Sequence, residues 1–93
     1  MSYARETLAR RVRVASLLLA RDMTTREVAR RIFDGELREN EMSKARSDLR
    51  YLEKRRLVSR TIETNVNPLG RKSDTWYRLS GLVLWLGSHD VRA

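Results

Sequence analysis

The chain's only proline, Pro68, stands in a break between two short runs rich in β-branched and aromatic residues, while the segments outside this region carry helical spacing. The first run, Leu57 to Glu63, includes Val58, Thr61 and Ile62, and the second, Asp74 to Leu79, includes Thr75, Trp76 and Tyr77. Both read as strands, because such side chains fit a pleated, half-buried surface. Asn65 to Lys72 lies between them with Pro68 and Gly70, so the two strands are expected to pair across a long loop. Trp76 and Tyr77 fall on opposite faces, which sends one of them into the core. A chain of this kind is helical first and then closes with a hairpin.

Ahead of the hairpin, Leu8, Val12, Ala15, Leu18 and Leu19 recur at helical spacing, predicting a first helix from Tyr3 to Arg21 with those residues inward. Arg5, Arg10, Arg11 and Arg13 fall mostly between them and read as its polar side. Thr24 followed by Glu27 is a capping box, which starts a second helix over about Thr25 to Phe33. Asp34 and Gly35 signal a turn, and the acidic stretch to Glu41 reads as a connector. Asn40 is the expected cap of a third helix over about residues 40–56, with Met42, Ala45, Leu49 and Leu52 on one face. Ser80 is the expected cap of a terminal helix over about 80–87, followed by a polar tail at 88–93. The reading is one domain of 93 residues, mainly α with a small β-hairpin. Its order is helix, helix, helix, strand, loop, strand, helix.

Charge narrows the partner. Twenty Lys plus Arg against 12 Asp plus Glu give a formal charge of +8, which favours a polyanion. Most of the basic residues are arginine, whose planar fork grips phosphate and guanine edges. Arginine richness also follows from a GC-rich genome or a thermophilic host, so placement must decide. With no cysteine, disulfides and thiolate chemistry are excluded, and His89 is the only histidine, placed in the expected tail. Asp34, Glu36, Glu39 and Glu41 imitate a magnesium-binding cluster, but an acidic connector has solvation as the simpler purpose. Neither a phosphate-binding glycine loop nor a nucleophile elbow is present. The expectation is a protein without catalytic activity, cofactor or metal. The apolar run Val14 to Ala20 is too short to span a membrane and has no signal-peptide setting, so an intracellular location is expected.

At this level the segment Thr24 to Ile32 resembles the second helix of winged helix-turn-helix regulators. Ser43 to Arg60, reading SKARSDLRYLEKRRLVSR, resembles their recognition helix running into the wing strand. The resemblance spans Arg13 to Leu79 and implies sequence-specific binding of double-stranded DNA, with the third helix in the major groove and a wing at about 64–73 on the backbone or minor groove. Two departures stand out: Arg56 occupies the place where such proteins often end the helix with glycine, and the connector Asp34 to Glu41 is longer and more acidic than a tight turn. With Leu49 and Leu52 inward, Ser43, Lys44, Arg46, Ser47 and Arg50 project outward or toward the amino-terminal end as the DNA-reading set. Arg71 and Lys72, beside Gly70 in the wing tip, are the expected phosphate or minor-groove contacts. Lys54, Arg55, Arg56 and Arg60 are explained equally by compensation of the helix dipole. Leu82, Trp85 and Leu86 exceed what so small a core is expected to need, and the expectation is a homodimer joined through the terminal helices. The competing readings are a winged-helix module that holds another protein, and a binder of structured RNA.

Overall fold

The computed structural model describes residues 2–35, 37–63 and 73–89. In chain order the elements are α1 (Ser2–Ala20), β1 (Met23–Thr24), α2 (Thr25–Ile32), α3 (Glu39–Lys54), β2 (Val58–Glu63), β3 (Ser73–Arg78) and α4 (Leu82–His89). This is the mainly helical α+β order read from the sequence, with one strand added. The expected loop, including Pro68, Gly70, Arg71 and Lys72, lies outside the described residues.

The added strand shares a residue with a cap. Thr24 has extended dihedrals, φ −77° and ψ 165°. That geometry suits both a strand residue and an N-cap. Its backbone pairs with β3, with Met23 opposite Trp76 and Thr24 opposite Thr75. Its hydroxyl meanwhile accepts the Glu27 N–H at 3.2 Å, and the Glu27 carboxylate accepts the Thr24 N–H at 3.0 Å. α2 therefore starts directly from the sheet. β3 is the central strand, antiparallel to both neighbours, and pairs with β2 from Val58 opposite Arg78 to Glu63 opposite Ser73.

The core lies where α1, α2, α3 and the sheet meet, and is filled by Val14, Leu18, Val28, Leu49, Leu52 and Trp76. Trp76 is the inward aromatic of its strand, and its indole N–H donates to the Thr25 hydroxyl at 2.9 Å. Leu8 does not join this core, being 38% exposed, and Val12 and Leu19 are only half-buried. The inner stripe of α1 runs through Val14, Ala15 and Leu18. Continued one turn toward the amino terminus, it reaches Arg10 and Arg11 instead of an apolar pair. The side chain of Ile62 lies outside the described set.

Both ends of α3 differ from expectation. It starts at Glu39 with Arg38 as N-cap and no side-chain cap bond, so Asn40 sits inside the first turn. Glu39 and Glu41 in that turn offset the positive end of the helix. At the other end, Arg56 N–H donates to Glu53 O at 2.9 Å and Leu57 N–H to Leu52 O at 3.0 Å. This pair of bonds is a Schellman motif, with Leu52 and Leu57 buried together. The motif needs a left-handed residue, and Arg56 supplies it at φ 60°. Arginine thus performs the turn that glycine usually makes, and the helix ends at Lys54 rather than at residue 56.

α4 also shifts. Its first helical bond runs from Trp85 N–H to Gly81 O at 3.0 Å, which gives the cap position to Gly81 and not to Ser80. The helix continues to His89, past the expected boundary at 87, and His89 stacks on Trp85 with ring centroids 4.4 Å apart. Among the described residues, no helix is long and apolar enough to cross a membrane.

Candidate nucleic-acid interface

α3 is fixed by what it buries. Ala45, Leu49 and Leu52 are essentially inaccessible, and Asp48 stands in the same inner stripe with 0% exposure. Transferring a lone carboxylate to such a place would cost several kcal/mol or more, so its partners define the site. Arg10 donates to it through Nε at 2.5 Å and Nη2 at 3.0 Å, and Arg11 through Nε at 3.3 Å. The Arg11 guanidinium also lies 3.9 Å from the centroid of Tyr51, and Arg55 lies 4.4 Å from that same ring. α1 and α3 are therefore joined by a charge cluster.

With that face inward, Ser43, Lys44, Arg46, Ser47 and Arg50 are all exposed. They do not form one uniform patch. Ser43, Lys44 and Ser47 line a groove between α3 and α1, together with Glu6, Thr7, Arg10 and Arg11. Arg46 takes another direction, since its Nη2 donates to Glu39 Oε1 at 2.6 Å. Both of those side chains are well exposed, which makes this a weak, salt-sensitive pair. Two of the four connector acids, Glu39 and Glu41, thus belong to α3 itself.

α2 packs on α3 and carries Arg26, Arg30 and Arg31 on its exposed side. Arg26 and Arg30 border a second concavity with Phe33, Asp34, Gly35 and Leu37. The chain reaches that concavity through a turn in which Gly35 adopts φ +88°, a value open to glycine. At the start of α2, Glu27 has its pKa lowered, first by the Thr24 backbone N–H, then by the Thr24 hydroxyl and the charges of Arg21 and Arg31. Burial works against these effects and is outweighed singly only by the Thr24 backbone N–H, so the net lowering is the sum of that bond with the hydroxyl and the two charges.

The basic residues following α3 have separate roles. Arg60 bridges Asp74 at 3.0 Å and Glu53 at 3.6 Å, and its guanidinium lies 5.5 Å from the Trp76 ring. It belongs to the sheet surface, while Arg55 belongs to the Tyr51 stack. Sequence reasoning missed the Asp48 cluster and treated Arg10 and Arg11 as an ordinary polar side. The available signal was an aspartate at an inner helical position, between Ala45 and Leu49, facing a helix rich in arginine.

The terminal helix requires a correction. Leu82 is fully buried in this chain's own core, and Trp85 and Leu86 pack against its edge. Residues i, i+3 and i+4 share one helix face, and α4 lies against α1. Leu82 is thus a core residue and not an interface residue, and the exposed apolar side chains of α4 are Val83 at 55% and Leu84 at 77%.

No protein-family model and no curated protein sequence matches this chain. Among solved structures, the fold is similar to that of a candidate transcriptional regulator from Thermoplasma acidophilum. The TM-score is 0.74 over 94% of this chain and 82% of the other, at 15% sequence identity. A likeness at that identity establishes a shared fold. The chain thus has a mainly helical α+β fold that is also found in a candidate transcriptional regulator.

Proposed function

We propose that this chain is a winged helix-turn-helix protein that binds double-stranded DNA sequence-specifically as a transcriptional regulator, without catalysis of its own. α3 enters the major groove, and the loop between β2 and β3 serves as the wing on the backbone or minor groove. The observation that carries this reading is the outer face of α3: Ser43, Lys44, Arg46, Ser47 and Arg50 are all exposed, on a helix whose opposite face is locked by Ala45, Asp48, Leu49 and Leu52. A rigid helix with exposed arginines fits the width of the major groove and the acceptor edge of guanine. The fold shared with a candidate regulator supports the same reading. Arg71 and Lys72 remain the proposed wing contacts.

A gel-shift assay comparing duplex DNA, single-stranded DNA and duplex RNA tests the proposal. Preference for duplex DNA supports it, and equal or stronger binding to RNA contradicts it. Pairing of two copies through α4 remains part of the proposal, with the half-buried Trp85 and Leu86 joined by the exposed Val83 and Leu84, and with Leu82 left to the core. Leu84→Asp is then expected to move sedimentation from dimer to monomer without loss of helical circular dichroism. A wild-type protein that sediments as a monomer at micromolar concentration removes that part.

A further inference from the structure

Between α1 and α3 lies a groove whose walls come from different helices: Thr7, Arg10 and Arg11 on one side, and Ser43, Lys44 and Ser47 on the other. Three hydroxyls and three cationic groups converge there, a donor set suited to the oxygens of a phosphate. Two of the cations are already positioned. Asp48 holds Arg10 at 2.5 and 3.0 Å and Arg11 at 3.3 Å, while Tyr51 lies under the Arg11 guanidinium. Held in this way, these long side chains have little conformational entropy left to lose when an anion arrives. The Arg10 and Arg11 side chains are 22% and 23% exposed and Asp48 is 0% exposed, so at this point the groove presents the guanidinium groups and not the Asp48 carboxylate, with Glu6 the exposed carboxylate among its lining residues. Setting Glu6 and Asp48 against Arg10, Arg11 and Lys44 leaves a net positive charge.

We propose that this groove seats one backbone phosphate of bound duplex DNA. Lys44 is its mobile cation, Thr7, Ser43 and Ser47 are its hydroxyl donors, and Arg10 and Arg11 form its fixed positive wall. The proposal rests on the reading of α3 as the DNA-binding helix and divides the labour on it. Ser43, Lys44 and Ser47 position the helix on the backbone, whereas Arg46 and Arg50 read base edges. It also makes α1 part of the interface, through residues on its amino-terminal half.

The test is phosphate-ethylation interference with salt titration, on duplexes selected from a random library and on random duplexes. Wild type is compared with Lys44→Gln, Glu6→Gln and Arg50→Ala. Lys44 and Glu6 are exposed, so their variants are expected to fold. Lys44→Gln is expected to weaken binding to selected and random duplexes alike by roughly three- to tenfold, and to reduce the salt slope by about one. It is also expected to erase interference at one phosphate. Glu6→Gln removes a carboxylate at the groove and is expected to tighten binding to every duplex, roughly twofold at low salt. Arg50→Ala is expected to change base preference and leave the phosphate pattern intact. Identical interference patterns in wild type and Lys44→Gln, or unchanged affinity in Glu6→Gln, would overturn the phosphate seat. Altered base preference in Arg50→Ala would then leave the DNA-binding reading standing. A wild-type protein that binds no duplex overturns both.

Discussion

On its inner face α3 buries Asp48 completely and surrounds it with Arg10 and Arg11, whereas on its outer face Lys44 and Arg50 are exposed and Arg46 leans on the exposed Glu39. Similar residue types thus serve opposite ends. Inside, the ion pairs are hydrogen-bonded and largely desolvated, so they fix the position of α3 against α1. Outside, charge is screened, contributes little to stability and stays available to a partner. The comparison separates basic residues that build the fold from those that decorate it, a distinction that net charge alone does not make.

Stability should respond very differently on the two faces. Arg10→Ala leaves Asp48 buried with only the longer Arg11 contact, and is expected to cost about 3 kcal/mol in urea unfolding. Arg50→Ala, away from any buried group, is expected to change stability by no more than about 0.5 kcal/mol. Equal losses in the two variants would erase the distinction between the faces. DNA binding inverts the order: Arg46→Ala or Arg50→Ala is expected to cost about 1 to 3 kcal/mol on the preferred duplex, and less on random sequence. Equal losses on both duplexes would assign the residue to phosphate.

Smaller effects concern the helix ends. Arg56→Gly relieves a left-handed arginine in a motif that favours glycine, and is expected to raise stability by about 1 kcal/mol, read as a higher denaturation midpoint. A lower midpoint would mean that the Arg56 side chain contributes more than the strain it causes. Glu27 gives the smallest effect, because its side chain is 44% exposed. Its pKa is lowered on folding, so its stabilising contribution is present above the ordinary glutamate range and is lost as pH falls through the depressed value. Unfolding midpoints of wild type and Glu27→Gln are therefore expected to converge in acid. A constant gap across that range would show that protonation of Glu27 is not involved.

Periodicity made much of this structure legible. Ala45, Leu49 and Leu52 define the inner face of α3 from spacing alone, and the Thr24–Glu27 box marks the start of α2 to the residue. What escaped was settled by tertiary pairing. β1 has two residues, too few for any alternation, and exists because Trp76 and Thr75 lie opposite. Asp48 is polar by type and buried by position, and only the arrival of Arg10 and Arg11 makes that combination stable. Leu82 was misplaced because the capacity of the core was judged from apolar residues such as Leu8 that stay near the surface. Of the candidate site, the α3 residues are exposed together, Arg71 and Lys72 lie outside the described residues, and the groove that α1 residues share with Ser43, Lys44 and Ser47 was not visible from spacing.

The central claim is that the outer face of α3 reads base sequence. Selection of bound duplexes from a random library, run in parallel with wild type and Arg50→Ala, tests it most directly. The account predicts an enriched motif for wild type and loss of preference at a defined position for the variant, with the rest of the motif retained. No enrichment with wild type, or an identical motif for wild type and for both Arg46→Ala and Arg50→Ala, would contradict it.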